Sequence, residues 1–229
     1  MSNLTYWPVP TIDRRAKRKQ QVRQKILGAS REILLSQGFA ALTMRRIAEA
    51  IDYAPATIYL HFQSREQIAQ ELCLAGLKRL HEHLQTVTTK DPAARLAGFG
   101  RAYQEYAQSD PETYRLIFMA DPQLTKAVFT HRDSGGTGGA SRDLIVTALV
   151  ELLADSGRQT AKPVELAELL WAGWHGLSSL RLACSNALTR DEFRLAQVLT
   201  AAVTDKIRSG SGKRKRPEIY ERVRVTNDR

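Results

Sequence analysis

From residue 20 onward, apolar residues recur every three to four positions, and the runs between them are punctuated by capping residues, prolines and glycines. Val22, Ile26, Ala29, Ile33 and Leu34 form one stripe, which Gly38 ends. Thr43 caps a short helix over Met44 to Ile51, and Pro55 fits the first turn of a third that runs to about His61-Phe62. Ser64 before Glu66-Gln67 starts a long fourth helix through Ile68, Leu72, Ala75, Leu80, Leu84 and Val87. Asp91-Pro92 and Asp110-Pro111 open a fifth and a sixth. A seventh is expected over about 141–155, an eighth over 163–187 and a ninth from Asp191-Glu192 to about Arg208. No segment alternates as a strand would. The fold class is therefore all-α, with about nine helices. The stretch 121–140 reads as weakly structured. Its glycines, Gly135 to Gly139 around Thr137, make a flexible loop rather than a phosphate cradle, because no strand precedes them and no Lys-Ser/Thr pair follows.

Charge divides the chain. The net charge is +10, which suggests a polyanionic partner. Residues 1–65 carry 11 Lys and Arg against 4 Asp and Glu, residues 66–209 carry 16 against 17, and residues 210–229 carry 7 against 3. The middle is thus a near-neutral body and the ends are basic. We read 1–19 as a basic flexible arm containing Arg14 to Lys19. Residues 20–80 and 81–209 are two further segments, the first basic up to 65 and the second near-neutral, and 210–229 is a basic disordered tail.

The segment 43–62 places two short helices on either side of a tight turn at Asp52-Tyr53. Ile47, Ala48, Ile51, Ile58 and Phe62 hold them together. Pro55, Ala56, Thr57, Tyr59, Leu60 and His61 then lie on or near the outer face of the second helix, the face that enters the major groove in a helix-turn-helix. Asp52 lies in this turn, and Asp is among the few residues that tolerate the left-handed conformation.

Downstream, Trp171 and Trp174 are three residues apart, and His175 follows Trp171 at i+4. Two readings stay open: a ligand pocket with an aromatic wall and one titratable group, or close-packed core and dimer contact. Tyr103, Tyr106 and Phe118 are further pocket candidates. The eighth helix is apolar nearly all round and should be central. The ninth has so wide an apolar face that a second copy of the chain is the economical cover.

The order Thr43-x-x-x-Ile47-Ala48, eight residues, Thr57-Ile58-Tyr59-x-His61-Phe62, then x-Ser64-Arg65-Glu66, resembles the TetR family of bacterial transcriptional regulators. Asp52 stands where the family usually has Gly, and Arg65 where Lys is usual. Trp171-Ala172-Gly173-Trp174-His175-Gly176 and Pro111 to Phe118 resemble a Trp-His-Gly subclass of its C-terminal domains. The resemblance implies DNA contacts from Thr43, Arg45, Arg46, Pro55, Ala56, Thr57, Tyr59, His61 and Arg65, the last to phosphate. It implies a DNA-binding domain over 20–80, which includes the start of the bridging fourth helix, a ligand-binding and dimerisation domain over 81–209, and a homodimer paired through helices eight and nine. It also implies a repressor that an unidentified small-molecule effector releases from a pseudo-palindromic double-stranded operator. Ligand contacts would come from Tyr103, Tyr106, Phe118, Trp171, Trp174 and His175.

No catalytic or metal motif is present, so neither enzyme activity nor a cofactor is expected. His81 and His83 point to different helix faces, which makes a poor metal pair. Cys73 and Cys184 read as buried thiols. Met1 to Pro10 lacks a signal-peptide run, and Leu166 to Ala183 carries Glu168, His175 and Arg181, a poor membrane span. A cytoplasmic, nucleoid-associated protein without a membrane partner is the expectation. The rivals are an all-α cofactor-binding enzyme or carrier and a non-specific architectural DNA binder.

Overall fold

The computed structural model describes residues 11–119, 137–157, 162–184 and 186–209. Among them are nine α-helices: α1 (Thr11–Gln37), α2 (Met44–Ala50), α3 (Pro55–Tyr59), α4 (Arg65–Gln85), α5 (Pro92–Ser109), α6 (Pro111–Phe118), α7 (Thr137–Asp155), α8 (Pro163–Ala183) and α9 (Glu192–Arg208). A 3-10 turn, Phe39–Ala41, follows α1. Gly38, at φ 77°, makes the left-handed stop after α1 that an L side chain resists.

Local signals place most boundaries. The side chains of Thr43, Ser64, Asp91 and Asp110 each accept a hydrogen bond from a backbone N–H of the first turn, and Pro55, Pro92, Pro111 and Pro163 sit inside their helix starts. Three expectations fail at helix ends. Arg14 to Lys19 belong to α1 rather than to a flexible arm, since Ala, Lys, Arg and Gln are good helix formers that extend an existing nucleus. α7 begins at Thr137, so Gly138 and Gly139 are helical; the rest of the expected loop, and the tail from 210, lie outside the described residues. α3 and α8 stop earlier than the periodicity suggests, at Tyr59 and Ala183.

Two cores share α4. The first gathers Val22, Ile26, Ile33 and Leu34 of α1 with Ile47, Ile58 and Phe62, and with Ile68, Ala69, Cys73 and Leu77 of α4. The second takes Leu80 and Leu84 of α4 and continues through α5, α7, α8 and α9. α6 also serves both, giving Leu116 and Ile117 to the first and Tyr114 to the second.

The central element of the second core is α5, which packs against α4, α6, α7, α8 and α9. α8 is not central, contrary to its composition. Ala167, Leu170, Trp174 and Ser178 are buried, but Leu169 and Leu180 are 54% and 49% exposed. These two continue a stripe with Gly173 and Gly176 that faces away from the core. The matching flank of α9 carries Leu195, Val198, Leu199 and Ala202. The flanks meet where Gly173 lets Leu199 approach so closely that a Cβ would lie 2.2 Å from it. Gly176 has no such neighbour. Cys73 is buried, and burial pushes its thiol up to about 12, so it is an inert small hydrophobe. Cys184 is exposed, against expectation, because it is the C-cap of α8.

Candidate nucleic-acid interface

α2 and α3 are held rigidly by short-range bonds. The Thr43 hydroxyl accepts from Arg46 N at 3.2 Å, and Tyr53 N reaches back to Ala48 O at 3.0 Å across the turn. Asp52 has φ 58°, the left-handed conformation the turn demands. Ile47, Ala48 and Ile58 are fully buried and fix the helix pair. Ala56 and Leu60 each lie two residues from Ile58, hence about 160° across the helix from it at 3.6 residues per turn. Pro55, Ala56, Tyr59 and Leu60 are exposed, while Thr57 and His61 are half-buried.

The candidate cations are partly engaged. Arg45 pairs with Glu49 at 2.8 Å on an exposed face, and Arg46 donates to the side-chain Oε1 of Gln37. Arg65 donates from Nη1 to Leu42 O at 3.2 Å, pairs with Glu66 at 2.8 Å and lies over the Phe39 ring at 4.8 Å. It therefore braces the loop before α2 as well as offering charge. Along α1, Lys17, Arg18, Gln21, Gln24, Lys25 and Tyr53 line an open cleft of about 640 Å³.

Arg23 of α1 was not legible as a functional residue. It donates to His61 O at 2.8 Å, pairs with Glu71 of α4 and lies 4.1 Å from the Phe62 ring centre. It thereby ties the end of α3 to α1 and α4. Helix spacing sets Arg23 beside the Val22 stripe but cannot name partners 38 and 48 positions away. His61 has its Nδ1 buried without a partner. Burial first, then Lys19 and Arg23, lower its pKa below the ordinary histidine value, so the ring is neutral at pH 7.

The aromatic candidates do converge within the bundle. Tyr103 meets Trp171, Trp174 and Tyr114, and Tyr114 in turn meets Phe118 and His175. The Tyr114 hydroxyl lies 2.5 Å from His175 Nδ1 and 3.2 Å from the Tyr103 hydroxyl, which is also hydrogen-bonded to Trp171. Burial lowers the His175 pKa and raises those of Tyr103 and Tyr114, so all three are neutral at pH 7. Trp174 is a satisfied core residue. Its indole donates to Thr200 Oγ1 at 3.1 Å, and its carbonyl accepts from Gln104 at 3.1 Å. Tyr106 stands apart, donating to Gly76 O of α4 at 2.8 Å beside His83.

Among the described residues no group of three His, Cys, Asp or Glu could hold a metal ion, and no helix is long and apolar enough to cross a membrane.

Residues 26–72 match the family described as bacterial regulatory proteins, tetR family, and residues 96–205 match the tetracyclin repressor-like C-terminal domain. The chain is 29% identical over 197 residues to the HTH-type transcriptional activator FasR of Mycolicibacterium smegmatis, covering 73% of this chain and 88% of that one. It is 30% identical over 131 residues to the HTH-type transcriptional regulator AlkX of Mycobacterium tuberculosis, covering 55% and 62%. The fold is similar to that of the fatty acid degradation regulator FadR from Bacillus halodurans, with a TM-score of 0.64 at 14% identity, covering 84% of this chain and 97% of that one.

Proposed function

The chain belongs to the tetR family of bacterial regulatory proteins, DNA-binding transcriptional regulators, and from that premise we propose that it is a homodimeric repressor released from a pseudo-palindromic operator by a small molecule. By this reading the first core carries the DNA-binding surface. Its contacts come from Arg45 and Arg46 of α2 and from Pro55, Ala56, Thr57, Tyr59 and His61 along and just after α3, with Thr43 and Arg65 at helix starts where phosphate is favoured. The second core senses and dimerises. The apolar flanks of α8 and α9, continuous through Gly173 and Leu199, favour pairing with the same flanks of a second copy.

The observation that carries effector response is the placement of α6. Tyr114 contributes to the polar chain that runs through His175 to Ser179. One residue earlier, Thr113 Oγ1 accepts from Arg31 of α1 at 3.4 Å and from Arg79 of α4 at 3.3 Å. A ligand that displaces Tyr114 or His175 therefore shifts the helix on which the DNA-binding core rests. Such a ligand acts only through unequal affinity for the two arrangements. Repression requires nothing beyond occupancy of the operator.

The test is to select duplexes from a random pool with the full-length protein and then titrate the complex with small apolar compounds. An inverted repeat occupied by two chains is expected. A compound that quenches Trp171 should also weaken operator binding. A site bound by a single chain contradicts the dimer, and a compound that saturates the bundle with operator affinity unchanged contradicts release.

A further inference from the structure

The outermost point of α3 and its C-cap, Leu60, is apolar. Leu60 is 77% exposed and Ala56 is exposed one turn before it; both stand opposite the fully buried Ile58. Tyr59, 57% exposed, flanks them. From Pro55 to His61 the chain offers no Arg, Lys, Asn or Gln, the residue types that read guanine or adenine bidentately in the major groove. A large aliphatic side chain held this far into water, on a rigid helix within a strongly basic segment, matches one feature of duplex DNA. That feature is the thymine 5-methyl group, the apolar element of the major-groove code.

We propose that Leu60, with Ala56 beneath it, is a specificity-determining residue that reads thymine methyl groups in each half-site. This rests on the DNA-binding reading above. Base selection along α3 is then by apolar fit, with hydrogen bonds confined to the hydroxyls of Thr57 and Tyr59 and to His61. The basic groups of α1 and α2 set affinity and register.

Uracil tests this directly, because replacing dT by dU deletes the methyl group and leaves every hydrogen-bonding group in place. Full-length protein first selects its duplex from a random pool. Single dT→dU replacements are then measured by fluorescence anisotropy at fixed salt. At least one replacement per half-site is expected to weaken binding about fourfold, the equivalent of ~0.8 kcal/mol for one methyl-sized group. The same replacement should leave Leu60→Ala unaffected, since the contact is already gone. Leu60 is exposed, so this variant keeps its core. If sequence selection persists with uracil tolerated throughout, the proposal is overturned while the DNA-binding reading stands. The same holds if the uracil penalty is unchanged in both Leu60→Ala and Ala56→Gly. If the protein selects no sequence, the underlying reading fails and the proposal falls with it.

Discussion

Arg31 of α1 donates to Asp110 Oδ1 at 2.8 Å across 79 positions of sequence, and Arg79 of α4 donates to the other carboxylate oxygen at the same distance. Asp110 also caps α6. One carboxylate thus joins the first helix, the shared helix α4 and the α5–α6 corner. Burial of Asp110 disfavours its charge, but the bonds from Thr113 and the charges of Arg31 and Arg79 outweigh this and hold its pKa below the ordinary value.

Asp110→Asn keeps a side-chain acceptor for the cap and removes the charge both arginines face. With Arg31 and Arg79 partly exposed, a loss of about 1–2 kcal/mol in unfolding free energy is expected. Because the folded pKa is depressed, the latch contributes fully above the ordinary Asp value near ~3.9 and is lost as pH falls through the lower folded value. Urea unfolding of both proteins at pH 7 and pH 3 checks this: the difference between them should shrink at pH 3.

His175 shifts stability in the same direction but at higher pH. Its ring is neutral in the bundle and bonded to Tyr114, and burial lowers its pKa. Below about 6.5 the unfolded chain takes up the proton first, so stability falls as pH drops from 7.5 toward 5.5. His175→Gln cannot titrate and should show a shallower fall over that interval. His61, also depressed, leaves part of the slope in place. Equal slopes in wild type and variant would place the His175 titration elsewhere.

The exposed flanks of α8 and α9 yield a third prediction. Leu169→Glu or Val198→Glu puts a charge where two copies would meet, at positions about half exposed in the single chain. The monomer should keep its helical content, and dimer dissociation should strengthen by about 100-fold or more. Sedimentation velocity checks the mass, and unchanged dimerisation in both variants would move the interface off these helices.

What the sequence revealed, and what it hid, follows from the range of the interactions. As caps and turn residues, Thr43, Asp52, Pro55, Ser64 and Asp110 act within four residues of themselves, so those roles were readable one position at a time. The face of α3 was also readable, because Ile58 and Phe62 define its inner side. Arg23 on His61 and Arg31 on Asp110 depend on which helices touch, and periodicity is silent on that. α8 misled for a related reason. Apolar composition does not tell a buried side chain from an exposed one, and Leu169 and Leu180 look the same as Leu170 until the packing is known. Tyr114 was hidden among core residues because its hydroxyl matters only once α6 lies against α8.

Arg65 provides the sharpest separation of two roles. Its charge lies at the start of α4, where a phosphate contact is expected, yet its guanidinium also holds Leu42 O and covers Phe39. Arg65→Ala removes both. It should weaken binding to all duplexes alike, lower the slope of log affinity against log salt by about 1, and destabilise the first core. Arg65→Lys retains the charge but not the fork that spans Leu42 and Phe39. It should keep the salt slope and lose only part of the stability, about 1 kcal/mol for the missing bond. Salt titrations of operator binding, paired with thermal melts, distinguish the outcomes. If Arg65→Lys loses the slope, the residue acts by geometry, and if Arg65→Ala changes the preferred base, it is not a phosphate contact.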